Sequence, residues 1–597
     1  METQAFKSSL RSHACGHLNA ENLSEKVTLC GWVDTRRDHG GLIFVDLRDR
    51  LGLVQVVFNP QDAALKSAKD LRSEFVIQLE GVVQARPPGM INAKIATGEI
   101  EVSATSLKIL SEAQTPPIQV DDDKVSEVLK LKYRYLDIRS PRLQNILVLR
   151  HEVAQVTRQF LSERGFIEVE TPILYKSTPE GARDFLVPSR LNQGKFYALP
   201  QAPQIFKQLL MVSNFDKYFQ IAPCFRDEDA RADRSPGEFY QLDFEMAFAE
   251  QEDVLSEIEP VIFEIFKEFS DKKVSNLPFK RITYKDSINN YGTDKPDLRN
   301  PLLINDLTDC FVNSGFKIFE ENVKKGMVVK GIKAPKSADM PRAWFDKLNA
   351  WARNYGQKGL GYIINLNQEF KGPIASNIRK ENLDKLIKRV GLESGDSVFF
   401  ISDKKEDANK FASVVRTELC NQLKLLEKDS FQFCWIVDYP MFEINQTTNK
   451  IDFSHNPFSM PQGGMDSLLN KNPLDILAWQ FDIVCNGVEL SSGAIRNHKT
   501  DIMIKAFEIA GYSHDDLMKK FGFLFNAFKF GAPPHGGSAP GIDRIVMLLS
   551  GEENLREVVA FPMNQQAEDL MLGSPSKISE KHLKELGLNL KKIEKTT

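Results

Sequence analysis

Three arginines in this chain stand where an unpaired cation would be hard to explain: Arg226 at the end of an apolar run, Arg496 in "ELSSGAIR", and Arg544 just past a glycine-rich stretch. A guanidinium offers a planar fork that suits carboxylate or phosphate, and burial does not neutralise it. A lone arginine is most often a surface salt-bridge partner. Here the neighbours argue otherwise. Arg226 is followed by Asp227, Glu228 and Asp229, and Arg496 is preceded by Asp482 and Glu489. Arginines that seek phosphate, set among carboxylates, are what a magnesium–nucleotide site needs, because Mg2+ takes one or two carboxylates together with phosphate oxygens. The third arginine follows "GAPPHGGSAPGIDRIVMLL" (531–549). We expect its glycines to form a loop whose backbone closely approaches a planar ring, with a helix starting at Gly541-Ile542-Asp543-Arg544. Neither GxxxxGK[ST] nor GxGxxG is present, so this is not a Walker or dinucleotide site. The nine histidines are scattered and suggest no base paired to a nucleophile.

The elements that position these residues can be read from pattern. At 597 residues and 67.7 kDa the chain is too long for one hydrophobic core, so several domains are expected. No apolar run is long enough to cross a bilayer. The N-terminal stretch lacks a secretory signal's apolar core, and the seven cysteines never form a CxxC pair, so a cytoplasmic protein with reduced thiols and no structural zinc is expected. A net charge of −4 argues against holding nucleic acid by bulk charge. Residues 25–110 show short runs of period-two alternation broken by Gly and Asp-His-Gly-Gly turns, as in a five-stranded OB-type barrel, which either binds single-stranded nucleic acid or is purely structural. The polar, Pro-containing stretch 111–127 reads as a linker. Residues 144–174 read as a long helix stopped by Gly165 and followed by a strand. "QAPQIFKQLLMV" reads as a helix, and "YFQIAPCF" and "FYQLDFEMAF" as antiparallel strands joined by a charged loop. A Lys- and Gly-rich block near 290–425 reads as an insertion with its own core, after which the β pattern resumes at 433.

Taken in order, "GFIEVETP", "FRDEDARADR…FYQLDFE" and "GAPPHGGSAPGIDR" resemble the three signature motifs of class II aminoacyl-tRNA synthetases. "STPEGARDFLVPSR" and "LPQAPQIFKQLLM" resemble the bacterial aspartyl branch, and the similarity covers nearly the whole chain. It implies an α+β multidomain protein and a homodimer. The parts would be an anticodon-binding OB-fold barrel (1–110), a hinge (111–140), an antiparallel-sheet catalytic domain in two parts (141–289 and 426–560), an inserted α/β domain of GAD type (290–425) and a C-terminal extension (561–597). The catalytic sheet would have six antiparallel strands.

The resemblance also implies roles for residues. Arg226 would bind the α-phosphate of ATP and the α-carboxylate of aspartate, with Glu228 near the adenine and Arg544 on the γ-phosphate. Asp227, Gly541, Ile542 and Asp543 would complete the ATP site, and Asp482 and Glu489 would coordinate Mg2+. Arg496 and Lys207 would grip the substrate's side-chain carboxylate, and an asparagine amide would leave both cations buried and uncompensated. Glu180, Gln204, Gln241 and Asp243 would complete the pocket, and His455 would close over it. In the barrel, Phe44 would stack a base, with Arg37, Gln55 and Glu101 contacting bases or backbone. His39 with a small residue at Gly89 resembles the non-discriminating type that charges both tRNA(Asp) and tRNA(Asn), whose mischarged product needs a separate amidotransferase. The alternative is an enzyme that charges tRNA(Asp) only. Asn456, Ser491-Ser492, Ser235 and Gly237 depart from the family's usual pattern. An ammonia-dependent asparagine synthetase would not need the barrel, and a catalytically dead paralogue would not need Arg226, Glu489 and Arg544.

Overall fold

The computed structural model describes residues 7–61, 64–122, 124–177, 182–232 and 234–591. Contacts divide the chain into two units, Met1–Val148 with Arg556–Lys577, and Leu149–Leu555 with Ile578–Thr597.

The first unit contains a closed barrel of β1 (Lys26–His39), β2 (Leu42–Asp49), β3 (Gly52–Phe58), β4 (Val76–Ala85) and β5 (Ile100–Ser111) in the order β1-β2-β3-β5-β4. Alternation places Val27, Leu29, Val45, Leu47, Val54, Val56, Ile77 and Leu79 inside. Closing the sheet removes its free edges. The stretch expected as a linker carries two short helices, Glu127–Lys132 and Arg134–Asp137. Arg134 is buried there, pairs with Asp137 and donates to the carbonyls of Arg556, Val559 and Ala560.

Helix α1 (Pro141–Glu163) begins on a proline, which suits the first helical turn, and ends before Gly165, whose φ of +80° is left-handed. Its buried residues Leu143, Ile146, Val153, Thr157 and Leu161 recur at helical spacing. In the second unit follow β6 (Ile167–Glu168), α2 (Gln204–Val212), β7 (Lys217–Arg226), β8 (Gly237–Ala247) and β9 (Lys280–Thr283). A separate five-stranded sheet is then built from 304–306, 328–334, 361–366, 369–371 and 397–403. In its strand 397–403, Phe399 and Ile401 join one apolar cluster while Val398 and Phe400 join another, so both faces are covered. Helix α3 (Lys405–Gln422) packs on the first of these faces.

The chain returns through β10 (Phe433–Pro440), β11 (Leu477–Cys485), β12 (Val488–Ile495), β13 (His535–Ser538) and α4 (Ile542–Ser550). The large sheet has eight strands in the order β9-β10-β11-β12-β13-β8-β7-β6. Its inner six are antiparallel, as expected, and the edge strands β9 and β6 add in parallel. One expectation fails: 531–541 is not all loop, since His535–Ser538 is a buried strand inside this sheet. A Cβ on Gly537 would lie 2.1 Å from the Phe244 carbonyl oxygen and 2.3 Å from a Glu245 carboxylate oxygen, and one on Gly536 would lie 2.5 Å from Ile495. Those two glycines admit neighbouring strands of the chain itself, not a ligand.

Candidate active site

A cavity of about 390 Å³ opens over the large sheet, lined from α2, β7, β8, β12, α4 and the loops between them. Seven Lys or Arg side chains line it against four Asp or Glu, so it is built for an anion.

One end is organised by strand periodicity. Gln241, Asp243 and Glu245 alternate along β8 and so share a face. Lys207, one helical turn from Gln204 on α2, places its Nζ 2.9 Å from Asp243 and 3.3 Å from Glu245. Arg496 donates from Nε and Nη2 to the two Glu245 oxygens at 2.8 and 3.1 Å, and from Nη2 to the Gly537 carbonyl. The missing side chain of Gly537 is what leaves room for that carboxylate. All four charged groups are buried. Burial pushes the Asp243 carboxyl up to about 6 despite Lys207, whereas burial of Glu245 is outweighed by Arg496 and Lys207, which hold it below the usual range. Glu245 was not singled out in the sequence, because it sits in the apolar run "FEMAF", where a carboxylate reads as an outward residue. It corrects the selectivity argument: asparagine would not leave Lys207 and Arg496 uncompensated, since both already face carboxylates. What remains is donor geometry. Arg496 Nη1 has no partner among the described residues, on a side chain lining the cavity. A carboxylate accepts from such donors, while an amide NH2 group meets them donor to donor.

The other end holds Glu489. Opposite β11, β12 carries a bulge: Ile483 pairs with Ser491 but Val484 pairs with Glu489. The extra residue turns Glu489 onto the face that carries Asp482. Burial, and then the Glu489 charge, push the Asp482 carboxyl up to about 8. One Asp482 oxygen accepts from Tyr439 at 2.7 Å, and the other has no partner among the described residues. Arg544 lies 3.6 Å from Glu489 and donates to its main-chain carbonyl, while Lys295 Nζ lies 2.8 Å away. Two hard carboxylates, one with a buried spare oxygen, are residues that would suit a divalent cation. A carboxyl whose folded pKa lies above its unfolded value of about 3.9 stabilises fully below about pH 4 and progressively less as pH rises. The contribution of Asp482 to the stability of the metal-free protein will therefore fall as pH rises from about 4 to about 8, and Asp482→Asn will remove that fall, so the variant's stability relative to wild type will rise with pH. Scanning calorimetry across pH checks this; an Asp482→Asn curve parallel to wild type would contradict it.

Between the ends, the Arg226 guanidinium stacks on Phe239 at 4.9 Å and donates to the Gln201 carbonyl. It has no carboxylate partner among the described residues. Glu228 lines the cavity paired with Arg234 at 2.6 Å. Asp227 faces solvent, paired with Arg183 at 3.6 Å, and does not line the cavity. Ile542 is a core residue. Gly541 lines the cavity, and so does Asp543, but the Asp543 carboxylate is engaged by Arg150 and the Tyr240 amide, tying α1 to β8. Asp227 is thus a surface residue and Ile542 a packing residue, while the Asp543 carboxylate is engaged within the protein in the first turn of α4. His455 stands exposed at the cavity, edge-on to Tyr439 at 4.8 Å, beside Asn456, which caps the Phe458 amide. Of the departures, Ser491 bonds to Ser538 and to the Ala539 amide, Ser235 lines the cavity, and Gly237 uses a φ of +90° to open β8. Glu180 lies outside the described residues. Lys295, Arg231 and Arg234 line the cavity without having been singled out.

On the barrel, Phe44 lies outside the core cluster, with its ring 5.9 Å from that of His39. Arg37 pairs with Asp46 and reaches Gln55, which donates to Glu101. His39 ends β1 beside the β1–β2 turn, and Gly89 sits at a φ of +83° in the β4–β5 loop. In OB folds those two loops border the nucleic-acid face.

Residues 126–565 match the family described as tRNA synthetases class II (D, K and N), and residues 27–110 match the OB-fold nucleic acid binding domain. The chain belongs to the class II tRNA synthetases. This synthetase is 56% identical to the Aspartate-tRNA(Asp/Asn) ligase of Rickettsia canadensis over 97% of this chain and 98% of the relative. It is equally 56% identical to the Aspartate-tRNA(Asp/Asn) ligase of Zymomonas mobilis, with the same coverage. Among solved structures, asparaginyl-tRNA synthetase from Pyrococcus horikoshii complexed with asparaginyl-adenylate superposes with a TM-score of 0.58 at 19% identity, covering 92% of this synthetase and 97% of that chain. A Leishmania major chain described as a putative aspartyl-tRNA synthetase gives 0.59 at 19% identity, over 94% of each. At that identity the likeness is one of fold.

Proposed function

We propose that the protein activates L-aspartate with ATP and transfers it to both tRNA(Asp) and tRNA(Asn). The observation that carries this is the buried Lys207–Arg496 pair at one end of a cationic cavity, in a chain that matches two Aspartate-tRNA(Asp/Asn) ligases along nearly its whole length. Lys207 and Arg496 would orient the substrate's side chain, with Gln204, Gln241 and Asp243 around it. Its α-carboxylate oxygen would then attack the α-phosphorus in line, forming an O–P bond as the bond to the pyrophosphate oxygen breaks. Arg226 would stabilise charge on the α-phosphoryl oxygens and Arg544 that on the departing pyrophosphate. A divalent cation held by Asp482 and Glu489, which we take as Mg2+, supplies further charge neutralisation when bound. A ribose hydroxyl at the tRNA end would then attack the aspartyl carbonyl, releasing AMP. Positioning and electrostatics account for the chemistry without an enzymic nucleophile.

Among the described residues no helix is long and apolar enough to cross a membrane, and the seven cysteines are unpaired. A cytoplasmic location is consistent with both. A homodimer is supported by Ile167, Ile173 and Leu174, large apolar side chains left exposed just after α1. Aspartyl-tRNA(Asn) would pass to a tRNA-dependent amidotransferase.

The test is charging of tRNA(Asp) and tRNA(Asn) transcripts side by side with labelled aspartate. Comparable charging is expected; charging of tRNA(Asp) alone would leave the discriminating reading. Exchanging His39→Leu with Gly89→Lys should lower tRNA(Asn) charging by about ten- to hundredfold, the range of one base contact, and spare tRNA(Asp). Nothing lies within 4 Å of a Cβ at Gly89, so the cost of the new side chain is the backbone strain of a φ of +83° and not a clash.

A further inference from the structure

Lys295 reaches the catalytic cavity from outside the large sheet. It lies in the segment 292–300, which leads into the inserted five-stranded sheet, and its Nζ is 2.8 Å from a Glu489 carboxylate oxygen. Arg544 approaches the other oxygen at 3.6 Å. Lys295 and Arg544 thus approach the same carboxylate beside the place where nucleotide phosphates would lie.

The segment is held by α3. A Cβ at Gly292, whose φ is +73°, would lie 2.3 Å from the Asn409 carbonyl oxygen of that helix. Arg416, 2% exposed on the same helix, makes no ion pair among the described residues. It donates instead from Nε to the Leu302 carbonyl at 2.6 Å, and from Nη2 to the carbonyls of Asp297 at 2.9 Å and Asn300 at 2.6 Å. Its guanidinium stacks on Tyr291 at 5.0 Å, and Asn300 returns a bond to the Arg416 carbonyl. A buried guanidinium spent wholly on main-chain carbonyls fixes a backbone path, at a desolvation cost that plain packing would not incur.

We propose that Lys295 is a phosphate ligand for the nucleotide, delivered by Arg416, and that Glu489 holds it until that carboxylate is given over to a divalent cation. The inserted domain then acts in adenylate formation by positioning this lysine. The inference rests on the aspartate-activating reading above.

The experiment uses the full chain with Lys295→Met. In aspartate-dependent ATP–pyrophosphate exchange, KM for ATP should rise about ten- to hundredfold, the range of one charge-assisted hydrogen bond, while KM for aspartate stays within about twofold. In equilibrium binding without nucleotide, read by the Mn2+ paramagnetic signal, Lys295→Met should bind Mn2+ more tightly than wild type, because the ammonium no longer competes for Glu489. That tightening reads the handover of Glu489, and the rise in KM for ATP reads the phosphate contact, which loss of a merely structural ion pair would not produce. Arg416→Met should reproduce the KM shift for ATP; if it does not fold, Lys295→Met decides alone. An unchanged KM for ATP, or Mn2+ binding that is unchanged or weaker, overturns the proposal. A wild type without aspartate-dependent exchange would sink the activation reading instead, and direct ATP and Mn2+ binding would then decide the role of Lys295.

Discussion

Arg496→Met is expected to abolish aspartate-dependent pyrophosphate exchange, by a thousandfold or more on the scale of about 10²–10³ for a lost transition-state donor compounded by a disordered pocket. It should also destabilise the protein by about 3–5 kcal/mol, because Glu245 is left charged and without its bidentate partner in a dry interior. Arg496 is 2% exposed and Glu245 fully buried, so water cannot make up the loss. Urea denaturation measures the second effect. The double variant Arg496→Met/Glu245→Gln should regain most of the stability and none of the activity. If it regained neither, the cost of the single variant would come from packing and not from an orphaned charge.

Arg226→Met should cut exchange by about a thousandfold or more, the range seen when an arginine is removed from a phosphoryl-transfer site, and leave the denaturation midpoint nearly unmoved. The contrast with Arg496 follows from surroundings. Arg226 is half-buried, stacks on Phe239 and has no carboxylate partner among the described residues, so its removal leaves no charge uncompensated. Exchange kinetics and urea denaturation on the same preparation separate the two arginines. A large stability loss for Arg226→Met would show that its charge is spoken for within the protein.

The barrel was legible because its first and fourth strands alternate between a buried and an open face, and α1 because its apolar residues recur at helical spacing before a glycine. Arg226, Arg496 and Arg544 were legible as phosphate- or carboxylate-seeking cations, Lys207 only through the family resemblance, and all four line one cavity. What failed has a common physical cause: a sequence shows that a charge exists but not what it faces. Glu245 is hidden in an apolar strand, where only tertiary pairing reveals it. Asp227 and Asp543 look like Arg226's and Arg544's companions, yet one faces solvent with Arg183 and the other braces α1. Lys295 is nearly two hundred positions from Glu489, and no local pattern joins them. The glycines of 535–538 invited a loop reading because strand interiors usually avoid glycine. Here close strand approach outweighs that tendency.

That crowding bears on how the pocket can evolve. Along β13, the strand that carries the Gly537 carbonyl bonded by Arg496, there is no room for even one added carbon at Gly537, so this strand offers selection few variants to try. A lineage that drifts toward a different amino acid must write the change on the neighbouring β8, on α2 or on the loops around His455. β13 would then be passed on nearly unaltered while specificity is rewritten around it.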